Sequence, residues 1–287
     1  QKGGKRMLVN LNDVLLPAAE KGYGVGLFNT VNFEMARGVL QAAQELRAPV
    51  IIGTAEILLP YGPLEELSDM ILPMAKKADV PVVVHYDHGL TFEKCVEALK
   101  LGFSSIMYDC STDSYEENIR KVKEITKLAH LFGATVEAEL GHVGDNEGDS
   151  ALERPEDYYT DPDMAKDFTD RTGVDALAIA VGTAHGLYKF KPKLDFERIT
   201  KIKNAIGIPL VLHGGSGLSG TDFQTAIAHG ISKINIFTDI NIAAASAAAK
   251  ALADGKTAMT DIIPYQVEAV AEATKAKMEL FGCAGRG

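Results

Sequence analysis

The sequence alternates between strand-like and helix-like patterns eight times, and this alternation limits the folds open to the chain. Short apolar runs rich in β-branched residues indicate strands buried on both faces, as in parallel sheets covered by helices. A segment with helical apolar spacing follows each run, for example residues 33–46. The predicted strands are 24–29, 49–53, 80–89, 103–109, 135–141, 175–182, 208–215 and 231–238.

Eight strand–helix units in one chain predict an α/β fold of the (β/α)8 TIM barrel type, built as a single domain. A doubly wound open sheet is the alternative, but no G-x-G-x-x-G motif follows the first predicted strand. The barrel is assigned to residues 7–287, with a C-terminal helical extension that includes a predicted helix at 267–281. The alanine-rich stretch 243–249 predicts close helix packing, within or between subunits. Residues 1–6 are interpreted as a flexible leader, either a processed end or a cloning remnant.

Composition and charge argue against several classes of function. A chain of 287 residues with 46% hydrophobic residues can bury a substantial core. The formal net charge of -10 argues against a nucleic-acid partner, because proteins that bind phosphate backbones usually carry a positive face. No apolar run reaches the length of a membrane span and no signal-peptide pattern is seen, so we expect a cytoplasmic protein with no membrane partner. The three cysteines lack CxxC spacing, which indicates a reducing compartment.

Histidines stand at the carboxyl ends of three predicted strands. The apolar run 80–84 leads into Asp87 and His88, and two other strand ends carry a His followed by a Gly, at His185 and His213. Active sites of TIM barrels lie at this end, where the βα loops meet. A helix cap and a structural histidine would explain the first segment equally well. Three histidines on three strand ends can, however, share one metal ion, since neutral imidazole is a common zinc ligand.

Carboxylates accompany these histidines. Asp109 and Glu139 also end predicted strands, and three histidines with an open fourth position are typical of catalytic zinc. We expect Asp109 and Glu139 to support or replace a ligand and Asp87 to carry a proton. For Asp109 and Glu139, a simple hydrogen-bonding role is the alternative. His85 and His142 are interpreted as structural.

Two further features indicate a phosphate and a working loop. The segment 214–217 is rich in glycine and follows the seventh strand, and 235–238 follows the eighth. TIM barrels commonly bind phosphate there through exposed backbone N–H groups. The polar, glycine-punctuated stretch 141–159 is too long for a simple connection, and its position on the catalytic side predicts a functional loop.

Five short motifs at the strand ends carry a family resemblance. They are HYDHG at 85–89, EAELG at 137–141, GTAHG at 182–186, LVLHGGSG at 210–217 and KINI at 233–236. In this order they resemble the class II, zinc-dependent ketose-bisphosphate aldolases that act on fructose or tagatose bisphosphate. The resemblance extends over essentially all of the chain from Met7 onward.

The resemblance implies a role for each matching residue. His88, His185 and His213 would be zinc ligands, with Glu139 and Asp109 as carboxylates near the metal. Asp87 would be the acid/base for the hydroxyl proton, and Glu147 would exchange the proton of the triose carbon. The residues implied to bind dihydroxyacetone phosphate are Gly186, Gly214, Gly215, Ser216, Asn235 and Thr238.

The implied activity is reversible cleavage of a phosphorylated ketose to dihydroxyacetone phosphate and an aldehyde through a metal-stabilised enediolate. A divalent ion acts as the Lewis acid for such a charge. The resemblance implies one catalytic Zn²⁺ and leaves open a second divalent or monovalent cation. It also implies a small sugar phosphate as the substrate and a homodimer or homotetramer as the assembly.

Two residues depart from the family pattern. Phe237 stands where fructose-bisphosphate members commonly have an acidic or amide residue, and Asn241 stands where an Arg or Lys often meets the second phosphate. The triose-phosphate half of the site therefore matches the family, whereas the aldehyde half is expected to be less charged or differently shaped.

Two other classes of protein remain open at this point. Another metal-dependent barrel enzyme, a hydrolase or an isomerase, would use the same ion to activate water, although hydrolases of this kind usually show an H-x-H pair on the first strand, which 24–29 lacks. A catalytically silent sugar-phosphate-binding protein would be expected to lose Asp87 or a ligand. A Schiff-base mechanism would need a lysine, and Lys233 is the lysine placed to provide it, but the three histidines at strand ends argue against this mechanism.

Overall fold

The structure, a computed structural model, describes residues 7–141, 143, 159–183 and 192–287. The described strands are β1 (Leu8–Val9), β2 (Val25–Asn29), β3 (Val50–Ala55), β4 (Val82–Gly89), β5 (Ser105–Tyr108), β6 (Thr135–Leu140), β7 (Ala176–Ile179), β8 (Leu210–Leu212) and β9 (Ile231–Ile236). The described α-helices are α1 (Leu11–Lys21), α2 (Phe33–Glu45), α3 (Leu64–Lys77), α4 (Phe92–Leu101), α5 (Tyr115–Leu131), α6 (Pro162–Thr172), α7 (Phe196–Ala205), α8 (Gly220–His229), α9 (Thr238–Ala253) and α10 (Met259–Phe281). A 3₁₀-helix, Glu56–Tyr61, follows β3.

The strands β2 to β9 form a closed parallel barrel. Each pairs with the next along the chain, and β9 pairs with β2, where Asn235 lies opposite Leu27. The predicted single-domain TIM barrel is therefore confirmed. The short strand β1 pairs with the amino-terminal end of β4, and neither β1 nor α1 was predicted. The predicted leader, residues 1–6, lies outside the described residues.

The strands are buried on both faces, as their composition predicts. In β4, the side chains of Val82, Val83 and Val84 are fully buried although successive side chains point to opposite sides. One side packs against the surrounding helices and the other fills the barrel. This two-sided burial holds the polar carboxyl end of β4 on a rigid strand.

The strand β8 ends earlier than predicted, and this places site residues in a loop. The prediction ran over 208–215, whereas β8 ends at Leu212. Gly214 has φ of +64°, in the left-handed region that a strand cannot contain. His213 is therefore the first residue of the loop that leaves the barrel mouth after β8.

The C-terminal helices pack on the barrel within the chain. The helix α10 begins at Met259 rather than at 267, and it contains Pro264. It packs against α2 and α9. A Cβ added at Gly38 in α2 would come within 2.7 Å of Val270, so the two helices approach closely. Part of the alanine-rich α9 is buried in this packing.

None of the helices in the described part of the chain is long and apolar enough to cross a membrane.

The pairing of β3 with β4 gives a testable prediction at Gly53. A Cβ at this position would clash with the backbone carbonyl oxygen of His85, so Gly53→Ala must push the two strands apart. We expect the free energy of unfolding to fall by about 1–3 kcal/mol, as for other overpacked sites, measured by urea denaturation. Gly207→Ala is the matched control, because a Cβ there meets nothing within 4 Å. Equal stability of the two variants would contradict the close contact.

Candidate metal centre

The polar side chains of three strands face the inside of the barrel in pairs. Alternate residues of a strand point to the same side, so two residues separated by one share a face. His85 on β4 contacts Glu137 on β6, although β5 lies between these two strands in the sheet. Side chains of strands that are not neighbours can meet in this way only across the barrel interior. The pairs are His85 and Asp87 on β4, Glu137 and Glu139 on β6, and Lys233 and Asn235 on β9.

An irregularity at the end of β4 brings His88 to the same place as Asp87. The pairing of β4 with β5 shifts register between Tyr86 and Gly89, and His88 has φ of +43°, which is rare for a residue other than glycine. Backbone strain of this kind is found at functional sites. As a result, a donor atom from each of Asp87, His88 and His213 lies within 4.8 Å of the other two.

Asp109 contacts His88 through the ring nitrogen Nδ1. Nδ1 of His88 lies 2.8 Å from Oδ2 of Asp109, whose Oδ1 accepts a hydrogen bond from the backbone N–H of Ser111. Burial alone would raise the pKa of Asp109, but these hydrogen bonds and the His88 charge hold it below its ordinary value. A carboxylate at Nδ1 orients the ring and would direct Nε2 toward a metal bound there. The supporting role of Asp109 stays a prediction.

His213 lies between two glutamates of β6. Its Nε2 is 2.8 Å from Oε1 of Glu137, and its Nδ1 is 3.1 Å from Oε2 of Glu139. Burial disfavours the charged ring, but both carboxylates outweigh it and raise the pKa of His213 to about 10. The ring centroid of His213 is 4.5 Å from that of His88. The pairing with Glu137 leaves Nδ1 of His213 on the side of Glu139.

Asp87 is held as a carboxylate by amide donors. Nδ2 of Asn29 donates to Oδ2 of Asp87 at 2.8 Å, and Nδ2 of Asn235 lies 3.1 and 3.2 Å from the two carboxylate oxygens. Burial would raise the pKa of Asp87, but the charges of His88 and Lys233 and the nearby His85 ring, whose Nε2 is 3.6 Å from Oδ1, lower it well below its ordinary value. Asp87 is therefore an ionised carboxylate with a hydrogen-bond donor on each side.

Three functional contacts of the interior were missed by the sequence analysis. Glu137 is fully buried, contacts His213 and forms an ion pair with Lys233 at 2.8 Å. Its burial opposes ionisation, but the charges of Lys233 and His213 lower the pKa of Glu137 to about 2. Asn29 was not singled out either, although it contacts Asp87. The alternation of Glu-Ala-Glu and Lys-Ile-Asn is the signal that could have placed Glu137 and Lys233 inward.

The loops after β8 and β9 lie side by side at the barrel mouth. The backbone N–H of Gly215 donates to the carbonyl oxygen of Asn235 at 3.3 Å, and Ser216 Oγ accepts from the Phe237 N–H at 3.4 Å. A Cβ at Gly215 would come within 2.8 Å of Ile234, so the loop passes close to β9. Thr238 begins α9, whose first N–H groups lack partners within the helix and suit an anion.

The predicted residues in two other segments are not among those that the structure describes. His142, Glu147, His185 and Gly186 lie outside the described residues. The third predicted histidine ligand and the predicted loop base therefore stay predictions.

The described donors fit a divalent cation. Asp87, His88 and His213 form one candidate group, and His88, Asp109 and Glu139 form another that shares His88. Imidazole nitrogen and carboxylate oxygen are the ligands that zinc accepts in catalytic sites. A third group, which contains His85 and Glu137, fits less well because Lys233 already supplies a positive charge to it.

The comparison with known proteins identifies the family. The family model described as Fructose-bisphosphate aldolase class-II matches residues 9–286. The chain belongs to this family. A fructose-bisphosphate aldolase of Thermus caldophilus is 39% identical over 98% of this chain and 100% of that protein. The family resemblance drawn from the five motifs is thereby confirmed.

Solved structures agree with this assignment to the class-II aldolases. The crystal structure of the YdjI aldolase from Escherichia coli K12 is 38% identical and has a TM-score of 0.87, over 98% of this chain and 99% of that chain. A putative fructose-1,6-bisphosphate aldolase from Coccidioides immitis is 27% identical with a TM-score of 0.86, over 96% of this chain and 97% of that chain. The barrel of this class-II aldolase is thus matched along nearly its whole length.

The contact between Asp109 and His88 gives a prediction about metal affinity. In Asp109→Ala, His88 loses the carboxylate that orients its ring, and we expect zinc affinity to fall about 10- to 100-fold. Competition with a chromogenic chelator measures this. Asp113→Ala is the matched control, since Asp113 follows the same strand but pairs with Lys121 at the surface. Unchanged zinc affinity in Asp109→Ala would show that His88 is not a ligand or needs no support.

Proposed function

We propose that this class-II aldolase is a metal-dependent enzyme that reversibly cleaves a phosphorylated ketose to dihydroxyacetone phosphate and an aldehyde. Family membership supports an aldolase acting on a ketose bisphosphate. The observation that carries the proposal is the convergence of His88, His213 and Asp87 at the mouth of the barrel. Nδ1 of His88 and Nε2 of His213 each lie 2.8 Å from a carboxylate oxygen, the kind of contact that orients metal-binding histidines, and Nδ1 of His213 faces Glu139, a second candidate ligand.

We assign the metal to His88 and His213, with His185 as the third ligand implied by the family. Glu139 lies 3.1 Å from His213 and shares a candidate group with His88, so its carboxylate can exchange with a ligand. The bound ion, zinc in this proposal, would supply a Lewis acid that stabilises negative charge on the carbonyl and hydroxyl oxygens of the substrate. A second divalent or monovalent cation stays a prediction.

Asp87 is the acid/base of the proposed cleavage. Its carboxylate accepts the proton of the C4 hydroxyl group while the C3–C4 bond breaks and the aldehyde carbonyl forms. The electron pair of that bond passes to the triose half, which then takes up a proton at C3. Asn29 and Asn235 donate to Asp87 and hold it in place for this transfer. We assign the second proton transfer to Glu147, as the family resemblance implies.

The phosphate of the triose half is assigned to the loops after β8 and β9. Their adjacent backbones and the start of α9 can present several N–H groups to one phosphate. The proposed contacts are Gly186, Gly214, Gly215, Ser216, Asn235 and Thr238.

A second candidate substrate is a ketose phosphate whose aldehyde half carries less charge. Phe237 and Asn241 are joined by a backbone hydrogen bond at the start of α9, close to the proposed phosphate loops. An aromatic ring and a neutral amide there offer no positive charge to a second phosphate. This observation favours a ketose 1-phosphate over a 1,6-bisphosphate.

The assembly is proposed on the family resemblance. A homodimer or homotetramer that acts on a small sugar phosphate is what the class II resemblance implies, and a cytoplasmic location stays a prediction from the sequence.

The proposed reaction predicts a metal-dependent release of dihydroxyacetone phosphate. A coupled reductase assay should detect it from a panel of phosphorylated ketoses, and a strong chelator should abolish it until zinc is restored. Asp87→Asn should lower kcat about 10²- to 10⁴-fold, the range for loss of a general acid or base. Full activity of metal-stripped protein, or covalent trapping of substrate by borohydride, would contradict the proposal.

The second candidate predicts a preference among substrates. We expect kcat/KM to be higher for ketose 1-phosphates than for fructose 1,6-bisphosphate. Asn241→Arg should raise kcat/KM for the bisphosphate about tenfold, because a hydrogen bond to a charged group contributes about 1.5 kcal/mol. Asn241→Gln is the control, which keeps an amide at this position. A wild-type enzyme that prefers fructose 1,6-bisphosphate would exclude this candidate.

A further inference from the structure

One buried cation inside the barrel has no part in the proposed reaction. Lys233, on β9, is fully buried, as is its partner Glu137. It is the only lysine or arginine among the buried residues of the described chain. A lysine in such a place needs strong partners, because an unpaired buried charge is costly.

The contacts of Lys233 are those of a fixed ammonium donor. Its Nζ lies 2.8 Å from Oε2 of Glu137 and donates to Oδ1 of Asn235 at 2.7 Å. Both contacts engage Nζ as a donor and hold it between two side chains of the barrel interior. The Schiff-base role considered for Lys233 in the sequence is therefore disfavoured by its surroundings.

The contact with Asn235 determines which way its carboxamide faces. A lysine ammonium can only donate, so it must meet the amide oxygen. The Nδ2 group then points to Asp87, at 3.1 and 3.2 Å from the two carboxylate oxygens. With the amide turned over, an oxygen would face the Asp87 carboxylate and the hydrogen bonds would be lost.

The other partner of Lys233 reaches the proposed metal ligand. Glu137 meets Lys233 through Oε2 and His213 through Oε1, at 2.8 Å in both cases. A continuous chain of contacts thus runs from His213 through Glu137, Lys233 and Asn235 to Asp87. Lys233 stands at its centre.

We propose that Lys233 is a positioning residue that orients Asn235 toward Asp87 and Glu137 toward His213 at the same time. This inference rests on the proposed aldol cleavage, in which Asp87 accepts the hydroxyl proton. It assigns two separable effects to one ammonium group, one on carbon–carbon cleavage and one on metal affinity.

The first test is Lys233→Met, which keeps the length of the side chain and removes its charge and its donors. We expect about 10- to 100-fold losses in zinc affinity and in kcat for cleavage, the range found when groups that orient ligands are removed. Exchange of the C3 proton of dihydroxyacetone phosphate with deuterium oxide, which does not use Asp87, should fall less than cleavage at saturating zinc. Equal falls in both reactions would overturn the assignment. Lys275→Met is the matched control. Like Lys233, Lys275 forms an ion pair with a glutamate, but it lies on α10 and not in the barrel interior.

The second test is the double variant Glu137→Gln/Lys233→Met, which leaves no unpaired buried charge and so guards against failure to fold. The amide oxygen of the introduced glutamine can still accept from His213, so zinc affinity should recover to within about tenfold of wild type. Cleavage should stay at least tenfold slower, because nothing orients Asn235. A folded double variant that cleaves at the wild-type rate would show that Lys233 only neutralises Glu137.

Failure of the proposed function gives a different result. If the wild type releases no dihydroxyacetone phosphate from any ketose, the aldol proposal is wrong. The zinc titration of the three variants needs no substrate. If only Lys233→Met loses zinc affinity, the titration supports the claim that Lys233 orients Glu137 toward His213. If all three variants bind zinc equally, it refutes that claim.

Discussion

The structure depends on the neutralisation of carboxylates that the barrel encloses. Asp87, Glu137 and Glu139 are each at most 2% exposed, and burial of an unpaired carboxylate would be prohibitive. Each instead contacts amide, ammonium or imidazole groups from other strands, so the polar interior also ties the strands together. Lys233 is the only buried lysine or arginine in the described residues, and it is engaged by Glu137. A site with more negative than positive groups suits a divalent cation.

The arrangement explains why the reacting groups lie on strands and their immediate ends. A closed barrel of buried strands resists movement. The distances between the side chains on β4, β6 and β9 are therefore held nearly constant, as a catalytic site requires. The left-handed His88 departs from regular strand geometry. It turns two successive side chains, Asp87 and His88, toward one place, which a regular strand would prevent. This irregularity therefore lies where the candidate ligands meet.

Much of the fold could be predicted from the sequence, because apolar runs and helical spacing are local signals. All eight barrel strands were located, with ends that differ from the prediction by at most three residues, as at β8, where Gly214 turns the backbone out of the strand. The short strand β1 lacks such a signal, since two residues show no periodicity. In the site, histidines at strand ends were visible, but Glu137 and Asn29 act through partners on other strands. Such contacts depend on how the barrel closes, and no local pattern records them.

The central claim is that His88 and His213 share one divalent ion beside Asp87. The most direct measurement is anomalous scattering at the zinc absorption edge from crystals of the zinc-loaded protein. The account predicts a single strong peak about 2.0–2.1 Å from one nitrogen of each ring, with the Asp109 and Glu137 contacts retained on the opposite nitrogens. An ion bound instead among His85, Asp87 and Glu137, or a peak at neither ring, would contradict it.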